Sequence, residues 1–339
     1  MLEEGESPYR GSQLAEWICR LGARTFDDMS SLPATLRTRL TQTYGIGRSK
    51  IATKKQSKDR IIKLLLEMSD GTKIETVGLP YTDRVSCCLS TQVGCPVGCI
   101  FCASGQDGFI RNLEPGEIVE QVLTVNRIVE SGVIHVSSRT YRIDHVVFMG
   151  MGEPLLNYES TIKAVRLINN EMGIGPRNIT ISAVGIVPRI LKLATEKLQV
   201  TLAVSLHAPN DNLRERLIPS MTRWSINEIL NASREYIKQT GRRVTFEYCM
   251  LDKINDGVSE AKELAKILKS LNCHINLIQY NPVSNLPFNT SPQKQVRVFR
   301  EILHGAGIQV TQRLQRRVDI DAACGQLRQQ IYRSNLLKV

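Results

Sequence analysis

Cys95, Cys99 and Cys102 stand at a C-x3-C-x2-C spacing inside GCPVGCIFCASG. Thiolates gathered that closely bind metal. A tetrahedral structural zinc site takes four ligands, commonly from C-x2-C pairs, and this loop offers three. Three thiolates suit a [4Fe-4S] cubane instead, because they leave one iron open for a small molecule to coordinate. A zinc-stabilised module remains the alternative. The chain has nine cysteines in all, an odd number. With no export-like leader, that favours metal ligation or thiol chemistry over a structural disulfide framework.

Such a loop needs a scaffold, and the hydrophobic pattern supplies one. Strands are expected at Arg84 to Leu89, His145 to Met149, Asn178 to Ser182, Gln199 to Leu206, Arg243 to Cys249, His274 to Gln279 and Gly307 to Gln312. Helical periods fall between them, near residues 116–131, 160–171, 189–197, 225–238, 257–270 and 293–304. Six strand-to-helix crossovers imply an α/β fold on a parallel sheet, an open or partial barrel rather than a doubly wound one. Side chains from many strands converge at the C-terminal ends of such a barrel. There the sequence places Gly152 and Glu153 after VVFMGM, Ser182 after ITI, Ser205, Leu206 and His207 after LAV, and Asn281 after LIQY. A carboxylate such as Glu153 can accept from an ammonium group, and the Ser and Asn side chains suit hydroxyls and a carboxylate. Each Ser or Asn alone reads equally as an ordinary strand-end cap.

Residues 1–52 read as a separate small helical domain, with apolar spacings of three or four in QLAEWICRL and from Leu32 to Tyr44. Residues 53–83 form a basic linker and a β-hairpin, Arg60 to Leu65 and Lys73 to Leu79, split by Ser69-Asp70-Gly71. Residues 84–339 make up the barrel and its C-terminal segment. The 339 residues are 42% hydrophobic, enough for a large core, and carry a net charge of +11, which favours a polyanionic partner such as RNA. The densest basic stretch, Arg48 to Lys63, has seven basic residues and one acidic, and reads as a solvated strand, a linker face or a phosphate contact. Arg214, Arg216, Arg313, Arg316 and Arg317 are further candidates for phosphates near the rim. No apolar run reaches the roughly 18 to 20 residues of a membrane span. A cytoplasmic, monomeric protein is expected.

The cysteine triplet is the hallmark of radical S-adenosylmethionine (SAM) enzymes. Over nearly its full length the chain resembles the radical-SAM RNA adenine methyltransferases of the RlmN/Cfr family, through YRGSQLAEW, GTKIETV, CLSTQVGCPVGCIFCASG, GFIRNLEPGEIVEQV, FMGMGEPLLN, ITISAVGIVP, LAVSLHAPND, TFEYCML, YNPV and DIDAACGQL. The resemblance implies a partial (β/α)6 barrel with an N-terminal helix-hairpin-helix-like domain that handles RNA. It implies methylation at C2 of adenine 2503 of 23S ribosomal RNA, naked or partly assembled; some members also methylate adenine 37 of certain transfer RNAs. A Cfr-like reaction at C8 would use the same cluster and cysteines. A [4Fe-4S] cluster, two SAM per turnover and an electron donor such as flavodoxin or ferredoxin are implied as well.

Adenine C2 is too electron-poor to attack a SAM methyl group directly, so a radical route is needed; the resemblance implies that a protein cysteine, whose thiolate is a strong nucleophile, is methylated first. Cys324, in DIDAACGQL, matches the family's methyl-carrying cysteine, and Cys88, seven residues before Cys95, matches the thiol that resolves a protein–RNA crosslink. Cys87 is a departure; neighbouring strand residues point to opposite faces, so one of the two alone can face Cys324. Glu75, in KIETV, matches the family's proton acceptor, although the hairpin could equally leave it exposed. Cys19, Cys249 and Cys273 read as packing residues.

Overall fold

In the computed structural model, residues 1, 4–47, 49–106, 108–131, 142–221, 223–283, 286–313 and 327 are described. The N-terminal region is helical: α1 (Pro8–Cys19) and α2 (Ala34–Thr43). Phe26, Met29, Leu32, Leu36 and Leu40 close a small core between them, with Trp17 against it. Arg20 ties this region to the main body, its Nε donating to the Glu171 carbonyl at 2.6 Å.

Among the described residues, the main body is one ten-stranded sheet. Its first four strands are β1 (Lys50–Gln56), β2 (Ile62–Glu67), β3 (Lys73–Pro80) and β4 (Val85–Cys88), and each pairs antiparallel with the next. A separate two-stranded ribbon, β5 (Gln92–Gly94) with β6 (Phe109–Asn112), brackets the cysteine loop. From β4 the sheet turns parallel through β7 (His145–Phe148), β8 (Ile179–Ala183), β9 (Thr201–Ser205), β10 (Val244–Met250), β11 (Cys273–Gln279) and β12 (Gln309–Arg313). The helices are α3 (Ala103–Gln106), α4 (Pro115–Glu130), α5 (Tyr158–Asn170), α6 (Val187–Thr195), α7 (Asp211–Leu217), α8 (Ile226–Thr240), α9 (Val258–Leu268) and α10 (Gln293–Gly305). Helices α4, α5, α6, α8, α9 and α10 lie in the six crossovers, as the sequence periods anticipate. Strand β1 extends the hairpin by one edge strand.

Local chemistry sets the boundaries. Ser225 caps α8 reciprocally with Glu228, and Gly241 ends it at φ +68°, a conformation glycine adopts without a Cβ penalty. Pro115 opens α4, where its missing N–H costs nothing. Alternation along the strands then sends one face into a continuous core under the helices, including Cys87, Val146, Phe148, Ile181 and Val204 with Ile118, Val122, Val165, Ile190 and Phe299. Each such side chain contributes about 1.5–3 kcal/mol on leaving water. The opposite face carries the polar set: Ser182, Ser205, Glu247 and Asn276 on β8 to β11, and Lys63, Glu75 and Cys88 on β2 to β4.

Candidate functional site

The cysteine loop is fastened to the loop after β7 by main-chain and side-chain hydrogen bonds. Thr91 N–H donates to the Met151 carbonyl at 2.8 Å, and Glu153 N–H donates to Gln92 Oε1 at 2.8 Å. Ser90 is clamped from α4, giving its N–H to Gln121 Oε1 and taking Gln121 Nε2 on its carbonyl, both at 2.8 Å. Asn157 Nδ2 bridges the Thr91 and Leu113 carbonyls at 2.8 Å each. Gly152 sits at φ +99° where a Cβ would lie 2.6 Å from Gln92, so the loops meet this closely only with glycine there.

Within that frame Cys95, Cys99 and Cys102 are half-buried. Burial pushes the Cys95 thiol up to about 12 and Cys99 well above the ordinary thiol range, with Cys102 and Glu153 adding like-charge repulsion at both. Thiols so buried as Cys95 and Cys99 ionise against a compensating cation, which a metal cluster would provide. Among the described residues, no three His, Cys, Asp or Glu side chains come together as one metal ion would need; a cubane takes each thiolate at a different iron, and so fits three cysteines spread along a loop.

Glu153 is buried and belongs to this group electrostatically. Its Oε1 accepts Leu155 N–H at 2.9 Å and its Oε2 accepts Val184 N–H at 2.8 Å. Burial outweighs both bonds and pushes its pKa up to about 7. Each oxygen keeps a second lone pair for a cationic ligand. Ser182 and Ser205 meet across β8 and β9, Oγ to Oγ 3.5 Å. Leu206 is fully buried, so its side chain packs in the core and only its main chain can serve a ligand. His207, at φ +59°, places its ring edge-on against Phe101 of the cysteine loop, centroids 5.1 Å apart. Its Nδ1 accepts Cys249 N–H at 3.0 Å, which assigns the ring proton to Nε2. Burial, helped by the Arg214 charge, lowers its pKa to about 3, so the imidazole is neutral. Asn281 is half-buried directly after Tyr280.

Arg214 corrects the phosphate reading. It is 2% exposed, and its guanidinium donates to the Ser205 carbonyl at 3.0 Å, to Leu206 at 2.7 Å and to Val184. It stitches together the loops after β8 and β9 and turns a positive charge toward Cys99. Arg216 and Arg313 are exposed, and Arg316 and Arg317 lie outside the described residues. Lys50, Lys54, Lys58 and Arg60 are exposed on β1 and the turn after it.

The second group lies on the antiparallel wing. Glu75 is buried, 3% exposed, and meets Lys63 Nζ at 3.0 Å; Lys63 is itself 1% exposed. Cys88 is buried with Ile61 and Leu79, and Val77, Tyr81, Val147 and Met149 pack against that cluster. Cys87 faces the helices, 3.7 Å from Thr76 Oγ1, and burial pushes its thiol up to about 12. The two neighbouring thiols therefore occupy different environments. Cys324 lies outside the described residues.

The radical SAM superfamily matches residues 89–268, and the ribosomal RNA large subunit methyltransferase N-terminal domain matches residues 1–46. A "probable dual-specificity RNA methyltransferase RlmN" of Thermosynechococcus vestitus is 45% identical over 96% of this chain and 94% of its own length. The chain belongs to the RlmN family of radical SAM RNA methyltransferases. A relative of the same description from Desulforamulus reducens is 45% identical over 98% of this chain and 93% of its own. The crystal structure of a radical SAM methyltransferase from Sphaerobacter thermophilus superposes with a TM-score of 0.89, at 44% identity, covering 96% of this chain and 94% of that one. Family membership implies a [4Fe-4S] cluster, SAM and an RNA substrate. Among the described residues no helix is long and apolar enough to cross a membrane.

Sequence reasoning passed over several residues that the fold brings to the site. Gln92 and Gln121 lock the cysteine loop, and nothing in their spacing announces it. Glu247, buried beside Ser205 on β10, accepts from Asn276 Nδ2 at 2.7 Å and is pushed up to about 7 by burial. Lys63 was hidden inside a basic stretch that reads as solvated.

Proposed function

We propose that this protein methylates C2 of adenine 2503 in 23S ribosomal RNA, with adenine 37 of transfer RNA as a second substrate, through a methylcysteine and a covalent protein–RNA intermediate. The observation that carries the reading is the division of labour on β4: Cys87 is sealed under the helices, while Cys88 shares the opposite sheet face with Glu75. The dual specificity in the relatives' names supports two RNA substrates.

Cys95, Cys99 and Cys102 hold the cluster, and Glu153, Ser182, Ser205, Asn281 and the main chain of Gly152, Leu206 and His207 hold SAM. So bound, cluster and SAM would supply a methyl group for one thiolate, the means of removing a hydrogen atom from that methyl, and an acceptor for one electron. Glu153 meets the SAM ammonium with its free lone pairs, and the ammonium in turn draws off the proton that burial would leave on the carboxylate. Neutral His207 and cationic Arg214 keep the rim in shape. The Cys324 thiolate accepts the methyl. Once its carbon is bonded to C2, Glu75 takes the C2 proton and the C–H electron pair stays with the ring. Cys88, as thiolate, attacks the Cys324 sulfur; the S–S bond forms, the C–S pair stays on the methylene carbon, and a proton completes the methyl group. Two electrons from a donor of the flavodoxin or ferredoxin class then reduce the disulfide. Reaching C2 requires the base to leave its stack, which favours naked or partly assembled RNA.

The test is mass spectrometry of RNA nucleosides after anaerobic turnover with labelled SAM. The expected product is 2-methyladenosine in both RNAs; 8-methyladenosine, distinguished by retention time, overturns the C2 assignment.

A further inference from the structure

A fully buried lysine is unusual, and Lys63 lies on the reacting face. Val77 of β3 is paired with Lys63 on one side and with Cys88 on the other, so Lys63, Val77 and Cys88 stand in one row across the sheet. Glu75, two residues before Val77, points to the same face. Its carboxylate and the Lys63 ammonium are 3.0 Å apart, with the aliphatic Ile61 and Leu79 in the neighbouring cluster. Burying two charges costs several kcal/mol per ion, and an apolar pair of similar volume would serve stability as well or better. The ion pair is thus better explained by what it does than by what it holds together.

We propose that Lys63 is a positioning residue for the methyl transfer: its ammonium, 3.0 Å from the Glu75 carboxylate, holds that carboxylate along the face of Cys88, so that it can take the proton from the RNA-bound carbon. The inference rests on the reading of Glu75 as proton acceptor. The same molecule shows the alternative. Glu153 and Glu247, also buried, form no lysine ion pair among the described residues and are pushed up to about 7 by burial, Glu247 in spite of the Arg313 charge. At Glu75 the ammonium belongs to the chain itself, so the carboxylate is oriented before any substrate arrives. Among the described residues, the acidic groups near β3 are engaged elsewhere. Asp70 and Glu117 are held by Arg111, and Glu120 by Arg127. Lys55 of β1, paired with Lys63 in the sheet, is one strand farther from Glu75, and the Cys88 thiol is the titratable group on β4's side.

The experiment compares full-length, cluster-loaded wild type with Lys63→Met, Lys63→Gln, Lys63→Arg and Glu75→Gln. It reads 5′-deoxyadenosine release, the protein–RNA adduct on denaturing gels, and the pH profile of single-turnover methyl transfer. For Lys63→Met and Lys63→Gln, 5′-deoxyadenosine release stays at the wild-type level, methyl transfer at neutral pH falls about tenfold or more, the adduct accumulates, and the rate recovers as pH rises by one to two units. Two neutral replacements of different polarity keep the test open if one fails to fold. Lys63→Arg restores the wild-type pH profile. A purely structural lysine would lower melting temperature without moving that profile. Wild-type rates and pH dependence in both neutral variants, with Glu75→Gln trapping the adduct at every pH, overturn the role of Lys63. Normal turnover by Glu75→Gln overturns instead the reading of Glu75 on which the inference stands.

Discussion

Two buried glutamates, one in the loop after β7 and one on β3, solve the same electrostatic problem in opposite ways. On the parallel rim, Glu153 is met by two main-chain N–H dipoles, and burial still pushes it up to about 7. On the antiparallel wing, Glu75 is met by the Lys63 ammonium at 3.0 Å. Dipoles soften a buried charge without cancelling it, and the proposed function has a cationic ligand complete the rim. A fixed ammonium stands against the carboxylate before any ligand arrives, and the proposed function has the wing meet a proton rather than a cation. Under the proposed function, ligand binding and proton removal are thereby separated between the rim and the wing.

The comparison breaks most completely at the cysteine loop. Cys99→Ala removes one of three cluster ligands, and iron and sulfide in anaerobically purified protein are expected to fall to background together with all SAM cleavage. Retained iron would dissolve the distinction between rim and wing. On the wing, Cys88→Ala is expected to co-purify with RNA linked through Cys324, reducible by nuclease to one modified nucleotide, whereas Cys87→Ala turns over normally because that thiol is sealed under the helices. The reverse pattern would show that strand register misassigns the resolving thiol.

A graded effect is expected at Glu153. Glu153→Ala loses about tenfold or more in SAM affinity by calorimetry while iron content is unchanged, since a buried charge-to-charge contact is worth about 2 kcal/mol or more. In wild type the affinity declines as pH falls through about 7, where the carboxylate takes up a proton, and the variant is flat over that range. His207 acts on stability. Its pKa is lowered from 6.5 to about 3, so the folded state binds fewer protons than the unfolded one; its contribution is full above 6.5 and is lost as pH falls toward 3. His207→Leu deprives Cys249 N–H of its acceptor, costs about 1–3 kcal/mol in thermal unfolding at pH 8, and flattens that acid limb. The smallest effect is expected on exposed β1: Lys54→Gln weakens RNA binding slightly and reduces the salt slope by about 1 if it meets one phosphate. An unchanged slope would make the edge lysines guards against strand pairing.

The seven parallel strands and six crossover helices were legible because period-2 and period-3.6 patterns arise from each element's own burial. Less legible was the wing, where β1 is short of apolar residues and reads as a charged linker. Glu75 was equally consistent with exposure and burial, because hairpin register alone does not say whether its face is covered. Arg214 read as a phosphate contact since it follows a rim motif; one helical turn of α7 instead points it at three carbonyls.

By itself the sequence determined the kinds of chemistry available: a three-thiolate loop, polar strand ends on a common rim, and a motif set shared along nearly the whole chain. Those signals are local, carried by spacing within a few residues. Only the tertiary structure decided which of Cys87 and Cys88 leaves the helix-covered core, that Lys63 is the partner of Glu75 rather than of RNA, and that Arg214 braces the rim from inside. The physical reason is that a charge or thiol takes its character from desolvation and from partners on other strands, and neither quantity exists until the sheet has assembled.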